Sequence, residues 1–364
     1  MQSSAGNCVA ERQCRDFNRD VVEPKYLPNE PDLILNGSHQ AALHERAQAA
    51  TRENFGREIF VRGVVEVSNF CRENCAYCGM RRDNRTLTRY RARHEQLAEL
   101  LIDHRPASVT DVNIQAGEDP VAVREIVLPL LRTLERETNV GLSVCLSVCL
   151  GTLPTELYDE LRAAGASAYI MKFEVGDATR YEMLEAPGTL KERLKNIHYL
   201  AQSGWKVSSG FIGGLPGQTS ADLVNNLRLA NELPLHGCSA SPFVPGEATP
   251  LAEFPASNAD WTLNAMAALR LMRPEWVIPA VSALNLATED GYRRGLRAGA
   301  NLTTINLTPT DLREDYVIYK RDRFIMTEER VLDAIAAEGL TPAATSLAAF
   351  YRADAGREIA VPAG

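Results

Sequence analysis

Short apolar runs that alternate with amphipathic helical stretches across residues 59–306 predict an α/β chain. The expected architecture is a TIM-type (β/α)8 barrel with an N-terminal helical extension and a C-terminal helical segment. Three observations carry this expectation. The apolar runs number eight, the stretches between them are long enough for crossover helices, and no tandem repeat or low-complexity tract intervenes. A composition of 45% apolar and 24% charged residues suits an ordinary globular core.

Residues 1–58 read as the extension. NGSHQAALHERAQAATRENFG offers Ser38 as a helix N-cap ahead of an alanine-rich helix. The barrel, 59–306, takes its strands from IFVRGVVEVSNF (59–70), SVTDVNIQ (108–115), VGLSVCLSVCL (140–150), ASAYIMKFE (166–174), WKVSSGFIGG (205–214), HGCSASPFV (236–244), EWVIPAVSAL (275–284) and NLTTINL (301–307). Helical patterns lie between them at 120–137, 190–204, 220–233 and 258–272. Residues 307–364 read as a polar loop, a helix near TEERVLDAIAAEG and a final helix that seals the barrel.

The net charge of −8, from 39 basic and 47 acidic residues, argues against non-specific nucleic-acid binding. No 18-residue apolar run predicts a membrane span. MQSSAGNCVAERQCRDF lacks the basic start and apolar stretch of a secretory signal. Eight cysteines, three of them tightly spaced, do not form the pattern of a secreted disulfide scaffold. A cytoplasmic, reducing compartment is expected.

The tight group is SNFCRENCAYCGM, with Cys71, Cys75 and Cys78 spaced C-x3-C-x2-C. Three thiolates on one loop can hold three corners of a cubic 4Fe–4S cluster, which otherwise takes four cysteines. One iron is then left open for chemistry. A structural zinc site would want four closed ligands, and no histidine or further cysteine follows nearby. The loop follows the first strand directly, at the barrel face where active residues gather.

This segment resembles the cluster loop of the radical S-adenosylmethionine (SAM) superfamily. More narrowly, it resembles the biotin synthase-like branch, which includes biotin synthase, the radical-SAM maturase of di-iron hydrogenase and methylornithine synthase. RRDNRTLTRYR (81–91), SPFVPGEATPL (241–251), IPAVSALN (278–285) and GANLTTINLTP (299–309) lean towards the maturase and methylornithine synthase. The resemblance implies that SAM binds the open iron through its amino and carboxylate groups. One electron, from an external donor such as ferredoxin or flavodoxin, then yields methionine and a 5′-deoxyadenosyl radical.

The resemblance also implies site residues. In QAGEDP, Gln115, Gly117 and Glu118 would meet the SAM amino group, mainly through backbone carbonyls; the segment also reads as a strand-to-helix turn with Pro120 at the first helical position. Glu174, in YIMKFEVGD, would be a SAM or substrate contact, or a solvated loop carboxylate. Arg193 would pair with the SAM carboxylate, or be a surface helix arginine. In GFIGGLPGQT, Ile212 and Leu215 would face adenine while Gly213, Gly214 and Gly217 permit close approach; a plain glycine turn capped by Thr219 is the other reading. The GKS/T ending of a phosphate loop is absent. Tyr77 would orient its neighbours at the adenine edge.

Ser282, Asn285, Thr303 and Asn306 are candidate polar residues of the inner barrel, or strand-end caps. Glu174, Ser282 and Asn285 are the candidate catalytic residues. Lys172, Arg81 and Arg82 are candidates for a substrate carboxylate. The second, sulfur-donating cluster of biotin synthase needs barrel cysteines where this chain has Gln115 or its neighbours, Ser147 and Ser208. Cys145 and Cys149 lie out of register and about 13 Å apart, too far to share a small cluster by themselves. They and Cys238 read as small buried residues; Cys8 and Cys14 receive no role. The expected function is reductive SAM cleavage at a single cluster, acting on a small, amino-acid-derived substrate. A sulfur-inserting enzyme and a non-catalytic iron–sulfur carrier are the alternatives.

Overall fold

A computed structural model of the chain describes residues 26–137, 144–321 and 325–355. Cys8, Cys14 and the start of the run at 140–150 lie outside the described residues. Strands β1 (Glu58–Ser68), β2 (Asp111–Ala116), β3 (Cys145–Cys149), β4 (Ala168–Ile170), β5 (Lys206–Gly213), β6 (Gly237–Pro242) and β7 (Leu302–Asn306) form one parallel sheet in the order β6-β5-β4-β3-β2-β1-β7. Each replaces one apolar run of the sequence. β8 (Thr341–Pro342) adds a short pairing to the start of β1.

The run at 275–284 is the exception, because it forms no named strand. Val277 makes a single bridge to Gly237 and Pro279 a single bridge to Leu302. The Val277 N–H donates to His236 (3.0 Å) and the Ala280 N–H to Leu302 (2.8 Å). The segment is therefore an extended rung that links the two edges of the curled sheet. Pro279 has no N–H, so a ladder cannot run through it.

Parallel register fixes which residues face inward. Arg62, Asp111 and Cys145 are in register, as are Val64, Asn113 and Ser147. Glu66, Gln115 and Cys149 form the next layer towards the C-terminal ends. Opposite parity sends Val61, Val65, Val112, Ile114, Leu146 and Val148 outward, where they are buried under the helices. The helices at Leu190–Gln202 and Ser220–Glu232 start with capping boxes at Thr189 and Thr219. Each satisfies backbone donors that would otherwise lie open at the helix start.

Two helix expectations change in detail. The helix at 37–55 starts after Asn36, not at Ser38, and Asn36 makes no side-chain cap bond. The stretch at 120–137 is interrupted by a π turn at Val123–Val127. Pro129 explains it: its ring has no N–H for the Glu125 carbonyl and would clash with it in a regular turn.

The final helix, Leu347–Ala355, closes the lower mouth of the sheet. Leu347 and Tyr351 cluster with Phe60, Cys145, Ala168, Val277 and Leu302, which lie at or near the N-terminal ends of the strands and on the rung.

Candidate active site

β1 delivers the chain to Asn69, whose buried side chain anchors the loop that follows. Its amide donates to the carbonyls of Thr88 and Asp315, both at 2.7 Å, and accepts the Tyr90 N–H. Asn84 donates to the Gly79 carbonyl at 2.7 Å. The Ala76 N–H reaches Leu184 and the Gly79 N–H reaches Ile318. The loop is thus held from several sides, with Cys75 buried and Cys71 and Cys78 half-buried.

The end of β2 lies against this loop. The Glu118 N–H points at the Cys71 sulfur (3.4 Å), and the Arg72 N–H donates to the Glu118 carbonyl. Gly117 makes the approach possible, since a Cβ there would stand 2.2 Å from the Phe70 carbonyl oxygen and 2.9 Å from the Cys71 Cβ.

Burial, then Cys78 and Cys71, pushes the Cys75 thiol well above its ordinary range. Burial and then Cys71 push Cys78 up to about 12. Sulfurs that oppose each other's ionisation in this way want a cation among them. Among the described residues no three Cys, His, Asp or Glu side chains converge on one metal ion. Three thiols on one loop are the donors of a cube with three cysteine corners, each binding a different iron, whereas a structural zinc wants four closed ligands. The donor set therefore fits a 4Fe–4S cluster.

Around the cysteines the structure gathers most of the expected residues and changes the setting of several. Arg193 is neither exposed nor free: its side chain is 4% exposed and pairs with Glu118, 7% exposed, at 3.2 Å. Burial alone would lower the Arg193 pKa; Glu118 and the Tyr181 hydroxyl outweigh it and hold the guanidinium charged. The Glu118 carboxylate also takes Arg72 at 3.2 Å and the Thr152 N–H at 2.9 Å. Its side chain is thereby committed within the protein. A cleft of about 360 Å³ opens beside this pair, between the cluster loop and the helix at 190–202.

Glu174 lies beyond β4, which ends at Ile170. Its backbone has φ 62° and rejoins the sheet through a bridge to Phe211. A non-glycine residue there is strained by about 1–3 kcal/mol, a pattern that concentrates at functional sites. Burial raises the pKa of the Glu174 carboxyl, opposed by Lys172 and Arg193. Among the described residues neither Glu174 nor Lys172 has an ion-pair partner within 4.0 Å. Gln115 is on the inner wall and approaches Glu66 at 3.4 Å. Ile212 is inward and half-buried, and Leu215 is buried. Gln218 pins their loop by accepting the N–H groups of Gly214 and Leu215. The Tyr77 phenol is pushed well up by burial and by Cys75, to which it hydrogen-bonds.

The polar residues expected on the inner wall divide. Asn306 is inward, where its side chain accepts the Thr308 N–H. Thr303 has the opposite parity, and its buried hydroxyl has no hydrogen-bond partner among the described residues; Thr304 is the inward residue. Ser282 is exposed in a turn past the rung, not on a strand. Asn285 sits in a short helix and accepts the Tyr292 N–H at 3.0 Å, a local structural bond. Arg81 is paired with Glu185 and Arg82 with Asp83, so neither offers a free cation. Cys145 contacts Ser167 at the barrel floor, Cys149 is at the top of the same face, and Cys238 is buried on the outer side. Arg89, one of five arginines in RRDNRTLTRYR that no spacing singles out, donates to the carbonyls of Asn69, Met80, Arg81 and Asn84 at the base of the loop.

Fold and site together define an iron–sulfur enzyme built on a curled parallel sheet. A model of the Radical SAM superfamily matches residues 65–230. The chain is 32% identical over 305 residues to the [FeFe] hydrogenase maturase subunit HydE of Thermotoga maritima, covering 84% of each protein. It is 27% identical over 283 residues to a 3-methylornithine synthase of Methanosarcina acetivorans, covering 77% of this chain and 78% of that one. A crystal structure of methylornithine synthase (PylB) shares the fold, with a TM-score of 0.77 over 90% of this chain and 97% of the other at 23% identity. The chain belongs to the radical SAM superfamily. It is accordingly an enzyme that uses a 4Fe–4S cluster and SAM, alongside the hydrogenase maturase and methylornithine synthase as its motifs imply. No helix among the described residues is long and apolar enough to cross a membrane.

Proposed function

We propose that this enzyme cleaves SAM reductively at a single cluster and acts on a small, polar, amino-acid-derived substrate held inside the curled sheet. One observation carries the substrate reading. Within β1, β3 and β5, and along the segment 171–175, every half-buried position faces inward, including Val64, Cys149, Lys172, Glu174, Ser208 and Ile212. The outward positions are buried. The inner wall is therefore accessible and largely polar at the end nearest the cluster loop, as a site for a small polar molecule requires.

Cys71, Cys75 and Cys78 would hold the cluster. When bound, cluster and SAM together supply one-electron cleavage of a C–S bond, giving methionine and a 5′-deoxyadenosyl radical. The backbone of Gln115, Gly117 and Glu118 would position the SAM amino group. Glu118 and Tyr181 hold Arg193 in place while its Nη1 has no partner among the described residues, which leaves one prong for the SAM carboxylate. Ile212 and Leu215 would cover adenine, with Tyr77 at its edge and Glu174 at a polar contact. Lys172, an inward cation with no ion-pair partner within 4.0 Å among the described residues, would take a substrate carboxylate. Carbon-skeleton rearrangement, lyase fragmentation and assembly of a metallocofactor precursor are the reaction types this site could serve. The electron would come from an external donor such as ferredoxin or flavodoxin.

The test is anaerobic incubation with dithionite and SAM. Methionine and 5′-deoxyadenosine are expected, and both should vanish in Cys75→Ala; no cleavage by the reconstituted wild type would sink the proposal. Iron should number about four per chain, whereas about eight would require a second cluster and support sulfur insertion. A panel of deuterated amino acids and their derivatives then addresses the substrate. Deuterium should appear in 5′-deoxyadenosine for the true class, and should be lost in Lys172→Met at low substrate concentration.

A further inference from the structure

We propose that Arg89 is the positioning residue of the cluster loop: its guanidinium ties the two stems of the loop together and sets a positive charge behind the cluster that raises its reduction potential. Nη1 donates to the carbonyls of Asn69 (2.5 Å) and Met80 (2.9 Å), and Nη2 to those of Arg81 (2.7 Å) and Asn84 (3.3 Å). Asn69 lies two residues before Cys71 and Met80 two residues after Cys78. One planar fork therefore closes the loop across its base, a task for which a lysine ammonium lacks the geometry.

The charge itself is left uncompensated. Neighbouring Arg81, Arg82 and Arg91 pair with Glu185, Asp83 and Asp119. Arg89 has no carboxylate within 4.0 Å among the described residues; its four acceptors are neutral. Bound to the carbonyls of Asn69 and Met80, the half-buried cation sits against the base of the loop that carries Cys71, Cys75 and Cys78. An electron added to a cube held by three thiolates increases the negative charge there. A fixed, partly desolvated cation stabilises that reduced state more than the oxidised one.

The inference rests on the three cysteines holding a cluster. If reconstituted wild type binds no iron, that reading fails before Arg89 is tested. With cluster in place, Arg89→Met and Arg89→Lys are compared with wild type in two measurements that need no turnover: iron loss to a chelator, and the cluster midpoint by potentiometric titration followed by EPR. Arg89→Met is expected to lose iron several-fold faster and to show a lower midpoint. Arg89→Lys should also lose iron faster, because the fork is gone, while its midpoint stays near wild type because the charge remains. Wild-type iron retention in either variant overturns the tie, and an unchanged midpoint in Arg89→Met overturns the electrostatic role. A midpoint lowered equally in both variants assigns the effect to loop geometry and likewise overturns it. Should Arg89→Met not fold by circular dichroism, Arg89→Gln replaces it with the same expectations.

Discussion

At the scale of single residues the cluster loop depends on a contact that only glycine allows. A Cβ at Gly117 would stand 2.2 Å from the Phe70 carbonyl oxygen, a backbone atom that cannot rotate away. Gly117→Ala should therefore push the end of β2 off the loop and cost about 1–3 kcal/mol, as overpacking does. Iron content after reconstitution should fall several-fold, measured beside a melting curve; full iron loading would contradict the contact. The three cysteines stood out by spacing and residue type alone, whereas the contact of Gly117 with Phe70 and Cys71 did not, because the sequence marked that glycine only for approach to a ligand. Nor did the partner of Arg193 stand out. Its pairing with Glu118 joins residues 75 positions apart, and nothing local distinguishes a buried helix arginine from an exposed one. Arg89 is the same case: only the folded loop brings four carbonyls to one guanidinium. Ser282 and Asn285 misled for the opposite reason, since a correct apolar run placed them on a strand that Pro279 prevents.

At the scale of elements, packing between helices is set by specific ion pairs as much as by apolar faces. Glu338, just past the helix Glu328–Ala337, accepts Arg297 at 2.7 and 2.8 Å and Arg293 at 2.9 Å from the helix Gly291–Arg297. Burial alone would raise the Glu338 pKa, but Arg297 and Arg293 outweigh it and hold the carboxyl below its ordinary value. A carboxylate depressed in the folded state stabilises fully above the unfolded-state pKa and loses that contribution as pH falls through the folded value. Glu338→Gln should accordingly lower Tm at pH 7, with the gap to wild type closing as pH drops below about 4. A gap that is constant with pH would show that the arginines contribute shape rather than charge. The element pattern was largely legible, because strand runs and helical stretches differ in period. The π turn and the rung at 277–280 were not, because each follows from one proline acting on a particular neighbour. The parity of Thr303 and Thr304 was equally hidden: both are threonine, and register with β1 alone decides which faces inward.

At the scale of the whole molecule, one mouth of the curled sheet must be closed if the other is to hold a protected reaction. Near the cluster end Gln115, Cys149 and Ile212 face inward and are half-buried, whereas Phe60, Cys145, Ala168 and Leu302 at the opposite end are buried. The helix Leu347–Ala355 makes that difference. Phe350 packs on Phe55 and Phe60 with ring centroids 5.3 and 5.6 Å away. Tyr351 meets His236 at 5.7 Å and has the Lys206 ammonium 5.6 Å from its ring centre. The floor beneath it carries a buried ion pair of Arg62 and Asp111, with Asp111 wholly buried. Such a pair does not tolerate loss of a partner. Truncating the aromatic plug should therefore reach the fold and not only the end of the chain. Tyr351→Ala is expected to cost about 3–5 kcal/mol, the range for removing a large buried aromatic. Urea unfolding should show a lower midpoint at an unchanged slope. If the helix were a dispensable tail, the midpoint would stay at the wild-type value, and closure of the lower mouth would have to come from the strand ends alone.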